Sequence, residues 1–83
     1  EFMNKLLVFS ASWCGPCKTM KPALDQLDQD RLVRYDIDEA EEETVKYQVR
    51  AVPTIIVINE NGEEVSRLIG VQTLSDLQKL LDV

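Results

Sequence analysis

Two stretches of the chain are apolar without alternation. Leu6 to Phe9, entered at Lys5, and Thr54 to Ile58 read as strands buried on both faces and central in a sheet. The second is rich in β-branched residues, which favour strands. Leu32 to Asp38 instead alternates, with Val33, Tyr35 and Ile37 set against Arg34, Asp36 and Asp38. That predicts a strand near the sheet edge with one wetter face. Asn59-Glu60-Asn61-Gly62 is a hairpin signal, and Glu63 to Ile69 returns antiparallel from it.

Helical spacing fills the intervals. From Gly15 to about Gln29, the apolar positions Cys17, Met20, Leu24 and Leu27 form one buried stripe. Pro22 falls inside this stretch, lacks an N–H and crowds the carbonyl of Lys18. Because the stripe continues to Leu27, the pattern predicts a bend there rather than a break at Lys21. Glu41 to about Gln48 reads as a short helix with acids in its first turn. Thr73 caps a last helix, with Asp76 three residues on and Leu74, Leu77, Leu80 and Leu81 as its apolar face. The order is β-α-β-α-β-β-α, an α/β layer sandwich.

At 83 residues the chain is long enough for one domain, spanning 1–83. The net charge of −6 argues against nucleic acid or an anionic membrane surface as the main partner. The acidity otherwise reads as an ordinary solvated surface. The apolar runs are too short to span a bilayer. Glu1 and Phe2 precede Met3 and read as a cloning remnant, with Met3 the native start and no signal peptide. Two thiols without a secretory signal point to a reducing, cytoplasmic setting.

The chemistry concentrates in Ser12-Trp13-Cys14-Gly15-Pro16-Cys17-Lys18, between the first strand and the first helix. It holds both cysteines and the only tryptophan. A Cys-x-x-Cys pair at such a junction reads as a dithiol redox site. With the helix starting at about Cys14, that sulfur sits beside unpaired N–H groups and the positive end of the helix dipole. Both favour thiolate and lower its pKa from the free value of about 8.5. Cys17 lies one turn on, within reach of the first sulfur, and is expected to be the more buried of the two. Gly15 allows close backbone approach, and Pro16 is tolerated in the first turn. Three other readings remain. A zinc site needs about four ligands, but the chain has no third cysteine and no histidine. A purely structural disulfide would close a very small loop. Inert core cysteines would not need a Gly-Pro insert.

The hexapeptide Trp13 to Lys18 resembles the active-site motif of the thioredoxin family letter for letter. Pro22, Asp36-Ile37-Asp38, Val52-Pro53-Thr54 and Gly70 match at family-like spacing, so the resemblance runs from Lys5 to Leu81. It implies a thioredoxin-like layer sandwich, a four-stranded mixed sheet in the order 2-1-3-4 with strand 3 antiparallel. Thioredoxins usually begin with one more strand and helix, so the chain resembles the minimal core that glutaredoxins also use. The second strand is then an edge, which is expected to lower stability.

The resemblance also implies a mechanism. Cys14 is the nucleophile on a substrate disulfide, and Cys17 resolves the mixed disulfide. No cofactor or metal is bound, and a thioredoxin reductase drawing on NADPH regenerates the dithiol. The partners implied are that reductase and disulfide-containing proteins, with the chain acting as a monomer. The proline matching Pro53 is cis in the family and packs on the sulfurs, leaving the Val52 backbone to pair with an extended substrate. Trp13, Gly70 and Val71 complete an apolar rim; for Trp13 and Val71 plain packing is the alternative. Two alternative functions are a glutaredoxin-like, glutathione-dependent reductase and a non-catalytic binding module. Three positions depart from the family. Val8 stands where it carries a buried aspartate beneath the second cysteine, Ser10 where it carries a tryptophan, and Arg34 where it carries a lysine. The Cys17 proton is therefore expected to leave to water, or through Ser10 on the same strand face as Val8.

Overall fold

The computed structural model describes residues 3–82; Glu1 and Phe2, read above as a cloning remnant, lie outside the described residues. The elements are β1 (Lys5–Ser10), α1 (Gly15–Asp25), a 3₁₀ turn (Gln29–Arg31), β2 (Leu32–Asp36), α2 (Glu41–Lys46), β3 (Thr54–Ile58), β4 (Glu64–Ile69) and α3 (Leu74–Asp82). The strands form one four-stranded sheet in the order β2-β1-β3-β4. β1 runs parallel to β2, with Val8 opposite Arg34, and antiparallel to β3. β3 and β4 form the antiparallel hairpin, with a register shift between Val57 and Ile58. This is the expected mixed sheet.

Layering explains the unbroken apolarity of β1 and β3. Leu6, Val8, Ile55 and Val57 face one way, onto Met20 and Leu24 of α1 and Leu77 and Leu81 of α3. Leu7, Phe9 and Ile56 face the other way, with Tyr35, Tyr47 and Val49 packed against them. Phe9 stacks on Tyr35 with ring centroids 5.0 Å apart. Each of these fully buried side chains contributes about 1.5–3 kcal/mol relative to exposure.

α1 departs from the expected length. It passes through Pro22 but ends at Asp25, short of Leu27 and Gln29. The Gln26 and Leu27 N–H groups turn back to the carbonyls of Ala23 and Leu24. The Gln29 side chain then donates to the carbonyls of Leu24 at 2.9 Å and Leu27 at 2.7 Å, satisfying groups the helix leaves open. Leu27 is still buried, delivered by this turn. β2 ends at Asp36, whose carbonyl accepts from the Glu39 and Ala40 N–H groups as the chain leaves the sheet. α2 ends at Lys46, and Gln48 at φ 54 turns the chain in the left-handed region.

The last helix begins with a reciprocal cap. Thr73 Oγ1 accepts from the Asp76 N–H at 3.1 Å, and the Asp76 carboxylate accepts from the Thr73 N–H at 3.4 Å. In the β3–β4 turn, Asn59 Oδ1 accepts from the N–H groups of Asn61 and Glu63, and Gly62 supplies a φ of 81°.

Candidate active site

β1 delivers the chain to the mouth of the sheet, and the loop after it turns on a hydrogen bond from the Cys14 N–H to the Ala11 carbonyl at 3.1 Å. Cys14 then becomes the N-cap of α1, with extended backbone and a side chain that accepts from inside the helix. The Cys17 N–H donates to Cys14 Sγ at 3.2 Å. A sulfur that accepts a first-turn N–H is favoured as thiolate, because that donor and the helix dipole both stabilise negative charge. Pro16 occupies the first turn, where its missing N–H costs nothing.

Cys14 and Cys17 form a disulfide, with Cα atoms 5.3 Å apart. The residue exposures are 5% for Cys14 and 8% for Cys17, so the second cysteine is not the more buried one. Both lie in one small cluster: Ala11, Cys14 and Cys17 pack together, and Ile37 and Val52 rest against them. The Val52–Pro53 peptide bond is cis, and Pro53 is buried. The Pro53 carbonyl accepts from the Gly70 N–H at 2.9 Å, which brings the Gly70–Val71 loop beside the proline. Gly70 has a φ of +101°, a conformation that L side chains rarely adopt.

Trp13 is 66% exposed, so plain packing does not account for it. Its indole N–H donates to the Asp38 carboxylate at 2.9 Å, which ties the ring to the turn that follows β2. Val71 is likewise exposed, and a side chain added at Gly15 would meet open space. The surface around the disulfide is thus open and partly apolar. In the sequence, Asp38 and Ile37 stand only in the alternating strand pattern and as positions matching the family. The contact Asp38 makes spans 25 residues and leaves no local signal.

A second feature lies beside Cys17. A cavity of about 190 Å³ is lined by Cys17, Val8, Ser10, Lys18, Lys21 and Arg34, among others. Ser10 does share a face with Val8, as the strand alternation predicts, and its hydroxyl lies 3.5 Å from the Tyr35 carbonyl. At the helix end, Asp25 accepts from Arg34 at 2.7 Å and from Lys21 at 3.0 Å. The Arg34 guanidinium, then the Lys21 ammonium, hold its carboxyl below the usual carboxylate range. Among the described residues, no three histidine, cysteine or acidic side chains gather as metal ligands, and no helix is long and apolar enough to cross a membrane.

Residues 3–83 match the family model described as Thioredoxin. The chain is 39% identical over 83 residues to a thioredoxin of Staphylococcus epidermidis, covering 94% of this chain and 79% of that one. It is 39% identical over 79 residues to a thioredoxin of Bacillus subtilis, covering 89% and 75%. Among solved structures, it resembles a mutant thioredoxin from Halobacterium salinarum with TM-score 0.86 and 32% identity, covering 95% of this chain and 72% of that one. The reduced Schistosoma mansoni thioredoxin pre-protein gives TM-score 0.84 and 34% identity, covering 96% and 77%.

Proposed function

Since the chain belongs to the thioredoxin family and is a thiol-disulfide oxidoreductase working through the Cys14–Cys17 couple, we propose that it reduces protein disulfides with Cys14 as nucleophile and Cys17 as resolving thiol. The observation that carries this reading is the N–H of Cys17 directed at Cys14 Sγ at the helix N-terminus. Thiolate is favoured at that sulfur, and it is the thiolate that attacks. Attack on a substrate disulfide forms a Cys14–substrate bond and releases one substrate thiolate. Cys17 thiolate then attacks Cys14 Sγ, the Cys14–substrate bond breaks, and the second substrate thiolate leaves. Two electrons pass from the dithiol to the substrate, and Cys14–Cys17 is left oxidised.

Trp13, Gly15, Pro16, Val52, Pro53, Gly70 and Val71 form the substrate rim in this reading. The backbone of Val52, beside Pro53, pairs with an extended substrate segment by strand addition. A thioredoxin reductase fed by NADPH restores the dithiol, the protein acts as a monomer without bound metal, and a reducing compartment such as the cytoplasm suits the couple.

The test is insulin reduction in two regimes, NADPH with thioredoxin reductase and glutathione with its own reductase. The first should sustain turnover. Turnover with glutathione alone would move the protein to the glutaredoxin-like reading, and none in either would leave a binding module.

A further inference from the structure

Resting on the reading of Cys17 as the resolving thiol, we propose that Lys18, Lys21 and Arg34 act as positioning residues that make Cys17 reactive through their combined positive field, with no acid–base side chain beside it. Cys17 lines a cavity together with Val8, Lys18, Lys21 and Arg34. No carboxylate is among the lining residues. β1 contributes Val8 and Ser10, which carry no charge, and the Ala11 cluster is covered by Ile37 and Val52, which carry none either. The acids at and just after the end of β2 keep their charge but lie outside the lining: the Asp36 carboxylate accepts from the Asp38 N–H, and the Asp38 carboxylate from the Trp13 indole N–H. On α1 the one nearby acid is Asp25, which lies outside the lining and is shared between Lys21 and Arg34. Lys18 has no ion pair among the described residues.

The lining beside this thiol, which burial alone would push up, therefore carries three cationic residues and no carboxylate, with Asp25 paired to two of them just outside it. Cations near a thiol favour its ionised form. The apolar part of the lining lowers the local dielectric and lengthens their reach. The step balances without a protein base: Cys17 loses its proton to water in the open cavity, and the thiolate left behind attacks Cys14 Sγ. The register makes this arrangement. Arg34 stands opposite Val8 on the parallel neighbour strand, which puts it on the α1 side of the sheet. Lys18 and Lys21 are three apart on α1, hence on one face.

The experiment measures the Cys17 thiol pKa from thiolate absorbance in Cys14→Ser, where Cys17 is the only thiol, and repeats it with single charge changes. One exposed charge at the mouth of a wet cavity moves a pKa by about 0.3, a factor of about two in thiolate near neutral pH. Lys18→Gln, Lys21→Gln and Arg34→Gln should each raise the pKa by about that much, and Lys21→Arg and Arg34→Lys should restore it. Asp25→Asn should move it the opposite way, downward. High salt should shrink every difference. A purely structural role would disturb the site alike whether Arg34 or Asp25 were changed. Shifts of the same sign for those two, or no shift with the exposed, unpaired Lys18→Gln, would overturn the proposal. Failure of Cys17→Ser to accumulate mixed disulfides would instead remove the resolving role and leave these thiol measurements standing.

Discussion

Val8→Asp places a carboxylate at a position only 1% exposed, on the sheet face that meets α1. Two costs follow. The lost valine burial is worth about 1.5–3 kcal/mol. A buried carboxyl without full hydrogen bonding adds about 1–3 kcal/mol. Arg34 stands opposite on β2 and returns part of this, but its guanidinium is drawn toward Asp25 at 2.7 Å and must be shared. A net loss of about 3 kcal/mol at pH 7 is the expected result. The pH dependence follows from the same burial. The new carboxyl has its folded pKa raised above the unfolded value of about 3.9. Its contribution is complete below that value and is lost as pH rises through the folded pKa, so the gap to the parent should widen from pH 4 to pH 7. Urea unfolding of both proteins at matched pH measures it, and Arg34→Gln in the Val8→Asp background should widen it further. The same change sets a base beside Cys17 and should speed single-turnover release of the mixed disulfide above the raised pKa. A stability gap constant from pH 4 to pH 7 would refute the burial argument. Equal release rates from pH 6 to 9 would make Val8 a packing residue alone.

Gly70→Ala should cost about 1–2 kcal/mol in urea melts, because Gly70 sits at φ +101° although a methyl there would meet open space. A neutral effect would show that the loop relaxes freely. Thr73→Ala removes one half of the α3 cap and should cost about 1 kcal/mol, with Thr73→Ser nearly neutral. Burial, then the charge of Glu43, raises the Tyr35 pKa above 10.0. The stability this shift contributes is complete below 10.0 and is lost as pH rises through the folded value, so Tyr35→Phe should flatten the alkaline limb of a stability-versus-pH curve.

Much of this architecture is written in local patterns. The unbroken runs at Leu6–Phe9 and Thr54–Ile58 mark strands covered on both faces, one by α1 and α3 and the other by Tyr35, Tyr47 and Val49. Thr73 and Asp76 announce the α3 cap, and Asn59 to Gly62 the hairpin. The Cys-x-x-Cys spacing leads directly to the disulfide and to the sulfur at the helix N-terminus. What the patterns miss is set by distant partners. Leu27 keeps helical spacing after the helix has ended, because a glutamine side chain, with no glycine, closes α1. Cys14 is as covered as Cys17 because both share a cluster with Ala11, against which Ile37 and Val52 pack from elsewhere in the chain. The Trp13–Asp38 bond and the gathering of Lys18, Lys21 and Arg34 around Cys17 depend on how β2 lies beside β1, and neither shows in a local window.

The chemistry of the site turns on the order of the two thiols, and trapping measures that order most directly. Reduced Cys17→Ser and Cys14→Ser proteins are each incubated with an oxidised protein substrate, quenched in acid and analysed by mass spectrometry under non-reducing conditions. With the resolving thiol gone, Cys17→Ser should accumulate a one-to-one mixed disulfide through Cys14, and Cys14→Ser should accumulate none. Capture through Cys17 in Cys14→Ser, with Cys17→Ser unmodified, would contradict the assignment and reverse the roles of the two sulfurs.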